Sequence, residues 1–172
     1  MNLSRRVPIF AAAAVALLAV SGCNRPSQPV LASADSIPQT ESSSSQAKAG
    51  WLTNYEQAQE QAKAGHKLML LDFTGSDWCG WCIRLEREVF SKPEFKEYAS
   101  KNLVLLELDF PRGKQIPAAL QAQNERLAMK YQIQGFPTIV VLNSDGKQVG
   151  ELGYVPGGPD AFIAELEKLR RG

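Results

Sequence analysis

Two cysteines, Cys79 and Cys82, stand two residues apart in the stretch "DFTGSDWCGWC", Asp72 to Cys82, with Trp78 before them and Trp81 between them. Only one other cysteine, Cys23, and a single histidine, His66, occur in the 172-residue chain. A pair at this spacing can be half of a zinc site, a haem attachment, a structural staple or a redox-active dithiol. A closed zinc site needs four ligands, and the chain has only the distant Cys23 and His66 left to offer. Haem attachment needs a His directly after the second Cys, where this chain has Ile83. A staple across two residues closes so small a loop that it restricts the unfolded chain little and stabilises little. A bond that is made and broken is the reading that remains. Placement favours it, because the pair opens a helix straight after an apolar strand. There the first sulfur sits among unpaired N–H groups at the positive end of the helix dipole, which favours thiolate.

The elements that position the pair can be read from periodicity. "TNYEQAQEQAKAGHK" has capping-box spacing from Thr53 to Glu56 and stops at Gly65, which predicts a helix with Tyr55, Ala58 and Ala62 on one stripe. "KLMLLDF" is an unbroken apolar run and predicts a central strand covered on both faces. "CGWCIRLEREVF" aligns Cys82, Leu85 and Val89 at helical spacing, and Ser91 to Glu94 offers a second capping box with Pro93 in its first turn. "NLVLLELDF" predicts a strand, and "PAALQAQNERLAMKYQ" a helix with Leu120, Leu127 and Tyr131 on its stripe. "TIVVLNSDGKQVGEL" predicts a hairpin through "NSDG", and "DAFIAELEKLRR" a closing amphipathic helix. The order is helix, strand, helix, strand, helix, hairpin, helix. This predicts an α/β domain over 51–172: a central mixed sheet with helices on both faces. His66, at a helix-to-strand boundary, reads as a surface residue.

The 50 residues before Trp51 differ in kind. "MNLSRR" carries two positive charges and "VPIFAAAAVALLAV" follows as an apolar run too short to span a bilayer, so residues 1–22 read as a signal peptide. "VSGC", Val20 to Cys23, resembles a bacterial lipobox, which implies that Cys23 is acylated and becomes the first mature residue. The segment 23–50 is rich in Ser, Pro, Gln and Ala and has no aromatic residue, so it reads as a flexible linker or a bland tail. As a soft tether it would hold the domain about 30 Å from the lipid. Localisation at the cell envelope follows, facing the periplasm or the exterior. The formal net charge of +1 supplies no basic field, and nucleic acid is not an expected partner.

"LMLLDFTGSDWCGWC", followed by "YQIQGFPTIVVLNSDGKQVGELGY", resembles the thioredoxin superfamily over roughly Trp51 to Gly172. The branch that it is most similar to is the exported thioredoxin-like proteins, related to the C-terminal domain of the membrane thiol:disulfide interchange protein. The resemblance implies a thioredoxin fold in which Cys79 is the nucleophile, Cys82 resolves the mixed disulfide, and Pro137, in the cis form and followed by Thr138, faces them across the site. Trp78, Gly80, Trp81, Phe136 and Thr138 are the implied docking surface, although Trp78 and Trp81 also read as core packing. Asp72 corresponds to the family's buried carboxylate beneath the second Cys, a proton acceptor, or else is a solvated residue at a strand end. Two departures stand out: Trp81 replaces the usual Pro between the cysteines, and the loop from Asp72 to Trp78 is one residue longer.

The expected activity is thiol:disulfide exchange on protein clients, with no cofactor and no metal. No cation lies between the cysteines, and Asp77 nearby opposes a low thiolate pKa, so the direction expected is reduction of protein disulfides. Asp77 itself reads as a solvated loop charge. Cys79 is expected to be exposed and Cys82 shielded. Outside the cytoplasm a reductase needs a membrane electron donor, a partner that the resemblance implies. Alternatives are a disulfide oxidase or isomerase, and a non-catalytic redox-sensing or client-holding module. A copper-delivery protein would add a His and a wider Cys spacing, which are lacking.

Overall fold

A computed structural model describes residues 48–171. The predicted signal peptide, Cys23 and the linker up to residue 47 lie outside the described residues. In chain order the elements are β1 (Trp51–Leu52), α1 (Tyr55–Gly65), β2 (Leu68–Thr74), α2 (Gly80–Leu85) running on into a π-helical turn (Glu86–Phe90), α3 (Pro93–Asn102), β3 (Leu103–Asp109), α4 (Ala118–Lys130), β4 (Thr138–Leu142), β5 (Gln148–Leu152) and α5 (Gly158–Arg171).

The five strands form one mixed sheet in the order β1-β3-β2-β4-β5. β1 and β2 run parallel to β3, whereas β4 is antiparallel to both β2 and β5. Every residue of β2 is buried, as its apolar run requires of a central strand. Alternation sends Leu68 and Leu70 to one face and Met69, Leu71 and Phe73 to the other. The first face is covered by α2, α3 and α5 through Leu85, Val89, Phe90, Phe95, Phe162 and Leu166. The second is covered by α1 and α4 through Ala58, Ala62 and Leu127. On the first face Phe90, Phe95 and Phe162 pack ring against ring with centroids 5.0–6.1 Å apart, which locks three helices to one another as well as to the sheet. This is the thioredoxin fold that the sequence predicts. β1 was not predicted, since two residues carry no period.

Helix ends depart from the expectation, for identifiable reasons. The cap of α1 is Asn54, whose Oδ1 accepts from the Gln57 N–H at 2.8 Å. The Thr53 carbonyl instead accepts from Nε2 of buried Gln123, whose Oε1 takes the Tyr55 N–H. Ser91 does not cap α3 either. Its hydroxyl turns back to the Arg87 carbonyl and its N–H closes the π turn on Glu86, leaving Lys92 at the cap position with no side-chain bond. Pro93 at the start of α3 makes that tolerable, because it has no N–H to satisfy. α1 does stop at Gly65, as expected, and exposed His66 after it takes the left-handed conformation. The buried face of α4 is Gln123, Asn124 and Leu127, with Leu120 only partly covered. The polar pair displaces the expected stripe because it bonds backbone of neighbouring elements, Asn124 donating to the Asp109 carbonyl.

Candidate functional site

β2 delivers the chain to the top of the sheet at Thr74, and Gly75 to Cys79 turn it into α2. The N–H groups of Trp78 and Cys79 both bond the Gly75 carbonyl. Gly75 is required here by close approach, since a Cβ on it would lie 2.5 Å from the Trp78 ring. Cys79 is the cap residue of α2, and its sulfur accepts the Cys82 N–H at 3.2 Å. Cys79 and Cys82 are joined in a disulfide. Contrary to the expectation of an exposed nucleophile, Cys79 is only 7% exposed, little more than Cys82 at 4%.

The loop that follows β3 is stitched to the turn that precedes the pair. Asp109 takes the N–H and hydroxyl of Ser76, and Lys114 pairs with Asp109. Asp77, expected as a free loop charge, is exposed but accepts from the Arg112 and Gly113 N–H groups, and those bonds, Arg112 first, hold its carboxyl below the usual range. The Trp78 indole donates to the Phe110 carbonyl at 2.8 Å, and the Arg112 guanidinium lies 3.7 Å from the centre of its ring. Trp78 is thus both partly packed and partly presented, 36% exposed. The Phe136 ring meets Trp78 edge-on at 5.8 Å, and the Phe136–Pro137 bond that follows is cis. Thr138 begins β4 and bonds the Gly135 carbonyl through its hydroxyl. Trp81 projects outward, 56% exposed, against Tyr154 and Arg84. Gly80 is open: an added Cβ would meet nothing within 4 Å.

Asp72 is turned inward, 3% exposed, on the sheet face that carries Leu70 and is covered by α2. Its register partners are Glu107 of β3 and Ile139 of β4. Oδ1 has no hydrogen-bond partner, and Oδ2 lies 3.7 Å from Lys48 Nζ. The same ammonium reaches Glu107 at 3.1 Å and Glu86 at 2.8 Å, one helical turn beyond Cys82. Burial pushes the Asp72 carboxyl up to about 7, with Lys48 pulling the other way. Burial likewise raises Glu107. For Lys48 burial works downward, but the three carboxylates outweigh it and its pKa is raised.

The structure therefore joins Cys79 to Cys82, sets Phe136 against Trp78 just before them, buries Asp72 on the sheet face that α2 covers, and leaves Gly80 and Trp81 exposed. Sequence reasoning missed Lys48, Glu107, Glu86 and Arg112. Glu107 had a signal, a charge inside the apolar run "LLELDF". Lys48 had none, sitting within the stretch read as linker.

The raised carboxyl makes stability depend on pH with a definite sign. Between its ordinary value of 3.8 and about 7, Asp72 keeps in the fold a proton that the unfolded chain has lost. Stability then falls as pH rises through that window, by up to roughly 4 kcal/mol, and levels off above it. Asp72→Asn has no proton to lose, so its stability relative to the wild type should climb from pH ~4 to ~7 in urea unfolding. A difference independent of pH would show that Asp72 is not held protonated.

Known proteins carry the same framework. The model of the family described as Thioredoxin-like domain matches residues 55–170. The disulfide bond reductase DsbH of Chlamydia pneumoniae is 38% identical over 120 residues, 68% of this chain and 72% of that protein. The thiol:disulfide interchange protein DsbD of Vibrio vulnificus (strain CMCP6) is 30% identical over 164 residues, which are 91% of this chain but only 26% of that protein. A solved structure of a DsbH oxidoreductase aligns with a TM-score of 0.67 at 36% identity, covering 70% of this chain and 83% of that one. With a family match that runs from α1 to α5 and a cysteine pair at the head of α2, the chain belongs to the thioredoxin-like family.

Proposed function

We propose that this chain is a thiol:disulfide oxidoreductase that works as a reductase of protein disulfides at the cell envelope. The observation that carries the reading is the Cys79–Cys82 disulfide at the cap of α2, on the sheet face where Asp72 is buried. The names of the relatives, a disulfide bond reductase and a thiol:disulfide interchange protein, support the same chemistry.

In the reduced protein the Cys79 thiolate attacks one sulfur of a client disulfide. That S–S bond breaks, the attacked sulfur becomes joined to Cys79, and the other client sulfur leaves as a thiolate and takes a proton from water. Cys82 then loses its proton to the Asp72 carboxylate and attacks Cys79 Sγ; the bond from Cys79 to the client breaks, and the client sulfur departs as a thiolate that takes a proton from water while Asp72 returns its own to solvent. The client has gained two electrons and two protons, and Cys79–Cys82 is again a disulfide. Resetting it takes two electrons from a donor, for which a membrane thiol:disulfide protein is the proposed partner. The Phe136–Thr138 segment and the rim formed by Trp78, Gly80 and Trp81 receive the client strand.

The direction rests on charge. No cation lies between the cysteines, and Asp77, two residues before Cys79, is held in its charged form by backbone donors. A negative charge there disfavours the thiolate and so works against a strongly oxidising pair.

Residues 1–22 are proposed as a cleaved leader, with Cys23 the lipidated first residue and 23–50 the tether. Labelling with a fatty-acid analogue should mark the protein and leave Cys23→Ala unmarked and released from membranes. An unacylated, soluble wild-type protein in cells able to acylate lipoproteins would refute the anchor.

The exchange itself is tested by separating the cysteines. Wild-type protein should accelerate insulin reduction by dithiothreitol, Cys79→Ser should abolish the effect, and Cys82→Ser should accumulate mixed disulfides that mass spectrometry maps to Cys79. Full activity of Cys79→Ser, or an inert wild-type dithiol, would overturn the proposal, the latter in favour of a client-holding module.

A further inference from the structure

Asp72 has one ionic partner among the described residues, and that partner comes from outside the helices and from outside the strands that flank it. Lys48 precedes β1 in a tight turn closed by the Trp51 N–H on the Lys48 carbonyl at 2.9 Å. Gly50, at φ 84°, occupies the position of such a turn that calls for the left-handed region. The turn folds the lysine back over its own strand. Its ammonium passes 4.1 Å from the centre of the Trp51 ring and 5.5 Å from that of Phe90 before it meets the carboxylates.

The groups around that ammonium come from each element packed on it. β2 supplies Asp72, β3 supplies Glu107 directly beside it in register, and the π turn after α2 supplies Glu86. β4 contributes only Ile139, and farther along β3 Asp109 has its own cation in Lys114. Two carboxylates side by side on one buried face repel each other, and Lys48 is the cation that joins them. α2 carries Cys82 one turn before Glu86, so the Lys48–Glu86 pair ties the cluster to the helical run that holds this cysteine.

We propose that Lys48 is a positioning residue for disulfide exchange: its ammonium binds the Asp72–Glu107 pair beneath α2 and keeps Asp72 available as a carboxylate to take the Cys82 proton. This deepens the reading above and rests on it for the step that Asp72 serves. The placement of Lys48 over both carboxylates does not depend on that step. Burial drives Asp72 toward its neutral form, and Lys48 is the largest influence acting against it. Loss of that charge raises the proton affinity of Asp72 further, so the group stays protonated to higher pH and cannot accept. Glu107 is pulled in the same direction by the same ammonium, so both members of the pair respond together.

The test is a carbon-13 NMR titration of aspartate carboxyls in the full oxidised chain, with Asp72 assigned by the signal missing from Asp72→Asn. In Lys48→Met and Lys48→Gln the Asp72 midpoint should rise by at least about one pH unit, a tenfold gain in proton affinity, and Lys48→Arg should restore it. The acid limb of the rate at which client leaves the mixed disulfide should move upward with it. An unmoved midpoint in both neutral variants overturns the proposal, and so does a moved midpoint with an unmoved limb. If the wild-type protein turns over no disulfide, the exchange reading fails, and the titration still decides whether Lys48 governs Asp72.

Discussion

A carboxyl group at the centre of a sheet has no water to hold its charge, so it must be neutral, paired, or both in turn. Asp72 is in that position: it lies in a strand buried along its whole length, with one oxygen unbonded and the other facing a single ammonium. That oxygen would be a poor investment for stability alone. The surroundings leave the group near the balance between its two forms, with burial on one side and Lys48 on the other. A carboxyl poised in this way, on the sheet face that α2 covers, can either hold a proton or accept one, which is the property that the proposed exchange draws on.

The surroundings of the cysteine pair fix the start of α2 and leave one rim of it open. Ser76, Asp77 and Trp78 each bond the segment that runs from Asp109 to Gly113, so the longer active-site loop is tied down by side chains rather than left loose. Phe136 leans on Trp78 and fixes the loop before β4 to the same wall. Below, the aromatic contacts among Phe90, Phe95 and Phe162 anchor the other end of the helical run. Trp81, with Ile83 beside it, is left largely uncovered next to the cysteines, an apolar surface of the kind that partners bury.

How much of this could be read from the chain depends on how local each feature is. The central strand, the hairpin and the helix carrying Cys82, Leu85 and Val89 follow from periodicity within one segment, and all three stand in the structure. The cysteine pair is a matter of spacing, whereas the place of Asp72 at the end of "LMLLD" is equally compatible with a buried and a solvated carboxyl, and only the sheet turns it inward. Pro137 needed the family resemblance, because nothing in its neighbours dictates the isomer. Thr53 and Ser91 misled because a hydroxyl or carbonyl has several possible partners, and here Gln123 and Arg87 claimed them. Lys48 with Asp72, and Asp77 with Arg112, pair across 24 and 35 positions, and no local pattern announces such a meeting. The burial of Cys79 is likewise a property of the walls around it.

Exchange of disulfides stands or falls on whether Cys79–Cys82 opens and closes within the range of biological thiols. Equilibration with glutathione at graded ratios, read by differential alkylation, measures that midpoint directly. A reductase predicts one reversible two-electron transition at about −200 to −270 mV. A pair that stays oxidised below about −300 mV would be a structural staple, and a midpoint near −120 mV would mark an oxidant; either contradicts a reductase.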